Sequence, residues 1–195
     1  MLSGAETVSE IQTKVRSDRG LLGGFGYQRC ADASVIQQTL DASTEATVAS
    51  LESALAEVRL KQGQGRQVSL GAEDEIGVDI DLSSLPIGKH AEGSEKGYVA
   101  KKPNTYTRQL ARCVCGDTQE IFTQALYPGK TNSDAVFKPM LGKLETVLTL
   151  DSVEKRSRVR LRFDAGFGTD ANINYALWRG YRLIGKMYNS RRIQK

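Results

Sequence analysis

The run Glu75-Ile76-Gly77-Val78-Asp79-Ile80-Asp81-Leu82-Ser83-Ser84-Leu85-Pro86 constrains this chain more than any other stretch. Ile76, Val78, Ile80 and Leu82 alternate with Gly77, Asp79 and Asp81, which is the two-residue period of a strand. Successive strand side chains point to opposite faces, so Asp79 and Asp81 share one face and the apolar set takes the other. Pro86 ends the run, because proline has no N–H to give to a sheet ladder. Two carboxylates held together near the end of an apolar strand repel each other and lose hydration, a cost that a cation or basic ligand offsets. From this stretch alone two readings stand: a solvated edge strand, and a site for a positively charged ligand.

Bulk properties narrow the classes. A chain of 195 residues is long enough for one domain with a real core, with or without an appendage. The net charge of +4 is compatible with nucleic acid but too small to establish it. No apolar stretch approaches the roughly 20 residues that span a bilayer. The start Met1-Leu2-Ser3-Gly4-Ala5-Glu6 lacks the features of a signal peptide, so a cytoplasmic location is expected. Three cysteines, an odd count, argue for reduced thiols. Cys113 and Cys115 would share one strand face, but with only Cys30 and His90 as further soft ligands they are expected to be buried thiols and not a zinc site.

Taken in order, residues 7–16 read as a short helix with Val8, Ile11 and Val15 on one side, followed by a glycine-rich stretch. A helix begins near Asp32 or Ser34. A longer one, capped by Ser43 or Thr44, is expected to bury Val48, Leu51, Leu55 and Val58. The pair suggests a helix-turn-helix, but the second helix exposes Ser, Glu and Ala in place of basic groups, so a packing role is favoured. Residues 62–67 read as a linker, dividing a helical segment (1–62) from a second domain (68–195).

In the second domain a polar loop, residues 89–103, carries Lys89, Lys96, Lys101, Lys102 and Tyr98. Residues 107–114 and 120–126 then complete a three-stranded meander with the first strand. A helix capped by Ser133 or Asp134 runs to about Leu148, with Phe137, Met140, Leu141, Leu144, Val147 and Leu148 inward; Pro139 argues that it starts as late as Lys138. Arg158, Arg160 and Arg162 alternate with Val159, Leu161 and Phe163 in a strand that ends at Asp164. After a glycine turn, Asp170 caps a helix that buries Ile173, Ala176 and Leu177 and stops at Gly180; a last strand covers residues 181–187. A meander followed by helix-crossed strands makes a mixed sheet covered by helices. If the fourth strand lies parallel beside the first, Asp81 and Asp164 meet at the strands' carboxyl ends, where open α/β sheets place ligands. Two such carboxylates amid basic strands suit divalent ions that bridge a phosphodiester.

The segments Asp79-Ile80-Asp81-Leu82-Ser83-Ser84-Leu85-Pro86, Ala91-Glu92-Gly93-Ser94-Glu95-Lys96-Gly97-Tyr98, Arg108-Gln109-Leu110, Leu126-Tyr127-Pro128-Gly129 and Phe163-Asp164-Ala165-Gly166-Phe167-Gly168-Thr169-Asp170-Ala171-Asn172-Ile173-Asn174 resemble the DDE transposases of bacterial insertion sequences, of the DDE-domain group 1 type. The resemblance runs from about Leu21 to the C-terminus. It implies an α/β, RNase H-like fold and DNA transposition by Mg²⁺- or Mn²⁺-dependent cleavage and strand transfer. Asp81 matches the first acid of the triad and Asp164 the second; Asp79 is the weaker match, or a neighbour of the site. Lys96, Lys101, Lys102, Arg108 and Arg112 are the expected DNA contacts, and DNA and an intact transposase, or a second copy, are the expected partners. The family's third acid, a glutamate in a Tyr-Arg-Glu-Lys-type signature, has no counterpart after Asp164. The chain is therefore expected to be a fragment of weak or no activity, or a non-catalytic binder of DNA or transposase.

Overall fold

The computed structural model describes residues 7–63, 75–97, 99, 102 and 104–187. Lys101 and Tyr98, most of the expected linker and the basic tail from 188 onward lie outside the described residues. The chain divides into two compact units, Met1–Glu57 and Val58–Lys195. Among the described residues no helix is long and apolar enough to cross a membrane.

The first unit is helical. α1 (Val8–Glu10) starts where the Thr7 hydroxyl accepts from the Glu10 N–H, and it continues as a π-helical turn, Ile11–Val15. α2 (Arg19–Gly24) is capped by the Asp18 carboxylate. α3 (Ala33–Asp41) follows Asp32, whose side chain makes no cap; it accepts instead from Gln12 and pairs with Arg16. α4 (Glu45–Gln62) has the Thr44 hydroxyl at its start, accepting from Thr47 N–H.

The expected buried stripe of α4 is not observed: Val48, Leu51, Leu55 and Val58 are all exposed. Ala46, Ala49, Ala54 and Ala56 spread apolar surface around this helix, so no single face is distinctly the apolar one.

The second unit is built on a six-stranded mixed sheet. Its strands are β1 (Ile76–Pro86), β2 (Glu95–Lys96), β3 (Tyr106–Cys115), β4 (Ile121–Pro128), β5 (Val159–Phe163) and β6 (Arg182–Gly185). β1 lies at the centre, antiparallel to β3 and parallel to β5. β4 extends the meander beyond β3, β6 adds a further parallel strand beyond β5, and short β2 pairs with the start of β3. A meander with two parallel strands on its far side is the mixed sheet that the residue pattern predicted, and it agrees with the RNase H-like fold that the resemblance implied.

One face of the sheet forms the core. Ile76, Val78 and Ile80 of β1, Ala111, Cys113 and Cys115 of β3, and Val159, Leu161 and Phe163 of β5 are buried there. α5 (Ser133–Leu148) covers this face with Val136, Phe137, Met140, Leu141, Leu144 and Leu148. Its cap is Asn132, one residue before the expected pair, accepting from Ala135 N–H at 3.0 Å. Pro139 does not delay the helix, which runs through it from Ser133. In the second turn the missing N–H costs one ladder bond, and the buried neighbours Met140 and Leu141 hold the helix through it.

α6 (Val153–Ser157), capped by Ser152, precedes β5. α7 (Asp170–Arg179) is capped by Thr169 rather than by Asp170, because the Thr169 hydroxyl accepts from Asn172 N–H. Gly180 ends it at φ 96°, as expected. Leu177, expected to be buried, is 54% exposed at the edge of the inward face, while Asn172 and Ala176 are buried and Ile173 is partly buried against the core.

Candidate active site

β5 ends where β1 is still running. The parallel ladder ends with Ile80 paired to Phe163, and Asp81 and Asp164 are the residues that follow this last pair. Alternation places Asp81 on the face away from α5, since its neighbour Ile80 is a core residue, while Asp164 stands just past the end of β5. Asp81 is thus not at the end of its strand, as the sequence suggested: β1 continues to Pro86 and only the β5 neighbour stops.

The turn after β5 fixes Asp164. The Gly166 N–H donates to Asp164 Oδ1 at 2.9 Å, and the Phe167 N–H donates to the Asp164 carbonyl at 3.3 Å. A Cβ at Gly166 would come within 2.8 Å of Ser133 Oγ and 3.1 Å of Asp164 Oδ1, so the turn packs closely against the first turn of α5. The Thr169 hydroxyl donates to Asp134 Oδ1 at 2.7 Å, tying the end of the turn to α5. Beneath it Phe137 meets Phe163 edge-on at 5.6 Å and Phe167 at 6.0 Å. Each such ring pair adds about 1 kcal/mol beyond its burial, so the aspartate stands on a rigid base. Asp81 accepts from the Ser83 hydroxyl at 2.6 Å.

Of the expected basic contacts, Arg112 is the register partner of Asp81 on β3. Arg108 lies four residues earlier on the same face, beside the loop at Gly93. Lys96 stands over the Tyr106 ring at 5.9 Å, at the end of the sheet where β1 finishes, and Lys102 is exposed. Lys101 lies outside the described residues.

The sequence reading missed the ion pairs on this face. Arg162 of β5 grips Asp79 with two hydrogen bonds, Nε to Oδ1 at 2.5 Å and Nη2 to Oδ2 at 2.7 Å. Those bonds, together with the carboxylate charge, raise the Arg162 pKa further. Glu75 takes both Arg160 and Arg182. The alternation of arginines along β5 was legible, but their partners depend on a register that joins residues 83 positions apart.

Cys113 and Cys115 are buried in the core, as expected, and burial pushes the Cys113 thiol up to about 12, so it stays protonated. A cleft of about 420 Å³ lies at the C-terminal ends of α5 and α7, the opposite ends from those beside Asp164. It holds Glu145 and Arg179, which pair with each other, and Arg156, which donates to the Arg179 and Leu150 carbonyls. These bonds satisfy one another and join helix ends, which is a structural role.

Among the described residues no group of three His, Cys, Asp or Glu side chains is placed to hold a metal ion. The pair Asp81 and Asp164 still supplies the donor type a hard cation takes. Mg²⁺ commonly binds one or two protein carboxylates and completes its shell with water and substrate phosphate.

No family model matches the chain, and no curated protein matches its sequence. Among solved structures it is similar to a piggyBac transposase in a synaptic complex with hairpin DNA, at 14% identity and a TM-score of 0.46, over 85% of this chain and 36% of that one. A Mos1 pre-cleavage transpososome matches at 11% identity and a TM-score of 0.36, over 94% of this chain and 60% of that one. A Mos1 mariner paired-end complex with Mn matches at 14% identity and a TM-score of 0.36, over 93% of this chain and 59% of that one. The chain therefore spans between 36% and 60% of the length of these structures.

Proposed function

We propose that this chain is part of a DDE-type transposase catalytic domain of the insertion-sequence kind, acting on DNA phosphodiesters with Asp81 and Asp164 as its acidic pair. One observation supports the reading: β1 and β5 pair in parallel up to Ile80 and Phe163, the next residue of each is an aspartate, and Arg112 is the register partner of Asp81 on β3. Mg²⁺ or Mn²⁺ held by Asp81 and Asp164 would supply Lewis-acid activation of a water or 3′-hydroxyl nucleophile and stabilisation of the leaving oxygen.

The protein's own part is orientation. Ser83 fixes one Asp81 oxygen, the Gly166 N–H fixes one Asp164 oxygen, and the ring cluster under the turn keeps the second aspartate from drifting. Arg112, beside Asp81, is set to take a phosphate next to the reacting centre, while Arg108, Lys96, Lys101 and Lys102 hold the DNA backbone and add affinity more than sequence choice. Activity of this chain alone is weak, because two carboxylates replace three. A complete transposase, which carries the third acid, is the partner that would restore it, and a second copy is the other expected partner.

The lack of a three-acid group among the described residues favours a second reading, a DNA- or transposase-binding protein without catalysis. A nicking assay on duplex DNA with Mg²⁺ or Mn²⁺, run beside a salt titration of binding, separates the two. The first reading expects slow, metal-dependent cleavage that both Asp81→Ala and Asp164→Ala abolish. The second expects salt-sensitive binding, no cleavage, and no effect of either substitution. Absence of DNA binding at low salt would overturn the first reading and leave only transposase binding of the second.

A further inference from the structure

Val48, Leu51, Leu55 and Val58 of α4 are between 46% and 61% exposed. Their spacing of three, four and three residues is that of a coiled-coil seam, so they stand in one row along the helix despite the alanines around it. A single exposed leucine is ordinary, but a row of four large apolar side chains in register points to a partner. The row is also a palindrome. Val48 and Val58 lie five residues to either side of Ser53, and Leu51 and Leu55 lie two to either side of it. Glu45 in the first turn and Lys61 in the last lie eight residues to either side of the same centre.

We infer that α4 is a self-association surface, on which a second copy of this chain lays the same helix antiparallel about a two-fold axis at the level of Ser53. A two-fold axis requires a patch complementary to itself. Inverting the palindrome supplies one: Val48 meets Val58 of the partner subunit, and Leu51 meets Leu55 of the partner subunit, so each layer matches residues of one size. Charge selects the direction. Antiparallel packing sets the acidic first turn, with Glu45, level with the basic last turn of the other copy, with Arg59 and Lys61, and opposes the two helix dipoles. Parallel packing sets like ends together. Glu52 works against the pairing, because the two copies of this seam-flanking carboxylate approach each other at the axis. The helix is about 27 Å long at 1.5 Å per residue. Four half-exposed side chains bury less than the roughly 800 Å² per partner of a standard interface, so the dimer is weak and reversible. The inference stands on α4 and is independent of the reading of Asp81 and Asp164.

The test is sedimentation velocity of the full chain without DNA across the micromolar range, with circular dichroism confirming that each variant folds. A reversible monomer–dimer equilibrium is expected. Leu51→Glu and Leu55→Lys are each expected to weaken it by about a hundredfold, because each copy loses one buried leucine. Both positions are exposed in the single chain, so neither change disturbs the fold of the monomer. An equimolar mixture of the two variants is expected to recover the dimer, since antiparallel packing sets position 51 of one copy against position 55 of the other and pairs the new charges. Parallel packing sets 51 against 51 and gives no recovery. Glu52→Gln is expected to tighten the dimer by about threefold, through loss of the like-charge approach. A mixture that does not recover, or a dimer that Leu51→Glu leaves intact, overturns the proposal. So does a chain that stays monomeric throughout, which would leave the row to a different protein partner.

Discussion

Two arginine–carboxylate forks of the same chemistry sit at different depths in the second unit, and they should respond differently to truncation. Glu145 on α5 is 15% exposed and accepts from Arg179, whose side chain is 27% exposed, and from the Tyr181 hydroxyl at 3.0 Å. Glu145→Ala leaves a buried phenol without an acceptor, at about 1 kcal/mol, and a mostly covered guanidinium without its anion, at about 2 kcal/mol after partial rescue by water. Alanine's better helix propensity returns a few tenths of a kcal/mol. The net loss is about 3 kcal/mol, which at a slope of about 1.5 kcal/mol/M lowers the urea midpoint by about 2 M.

Asp79 and Arg162 are 39% and 44% exposed, so Asp79→Asn is expected to cost no more than about 1 kcal/mol, as exposed pairs do. Equilibrium urea unfolding followed by circular dichroism reads both variants in one series. Equal midpoint shifts, or a loss below about 1 kcal/mol for Glu145→Ala, would refute the argument that burial sets the value of these pairs.

Two further outcomes follow from the same geometry. Cys113 is held protonated up to about 12 in the folded state, whereas its unfolded thiol ionises near 9.0, so the unfolded chain binds fewer protons between those values and stability falls as pH rises through that window. The expected slope is about 1.4 kcal/mol per pH unit, and urea midpoints measured from pH 8 to 10.5 should fall less steeply in Cys113→Ala than in wild type. Arg112→Ala is expected to weaken DNA binding uniformly across sequences and to reduce the salt-dependence slope by about one phosphate contact, as read by fluorescence anisotropy at several salt concentrations.

Alternation made the sheet legible. The apolar positions of β1, β3 and β5 fall on one face with a two-residue period, and those residues are the core. The glycine stop at Gly180 was equally readable, because a left-handed residue after an apolar helical run has few alternatives. Helix starts were off by one residue at Asn132 and Thr169, where several cap-competent side chains stand in a row and only the final geometry selects among them. The stripe on α4 failed for a different reason. Periodicity reports which side chains share a face and not whether another surface meets them, and Val48 through Val58 stay exposed. Leu177 repeats that lesson on α7. At the site, Asp164 lies just past the end of β5, whereas the face of Asp81 was legible because it stands within a strand of clear alternation. The Arg162 grip on Asp79 was not, since it needs a parallel register that the linear chain does not contain.

The direct test of the account is whether one cation sits against both aspartates. Fe²⁺ loaded in place of Mg²⁺, with ascorbate and peroxide, generates hydroxyl radicals that cut the backbone beside the ion, and mass spectrometry maps the cuts. The account predicts two clusters of cleavage, one around Asp81 and one around Asp164, both suppressed by excess Mg²⁺ and by Asp81→Asn. Cuts at only one of the two stretches, or a scattered pattern that ignores the substitution, would contradict it.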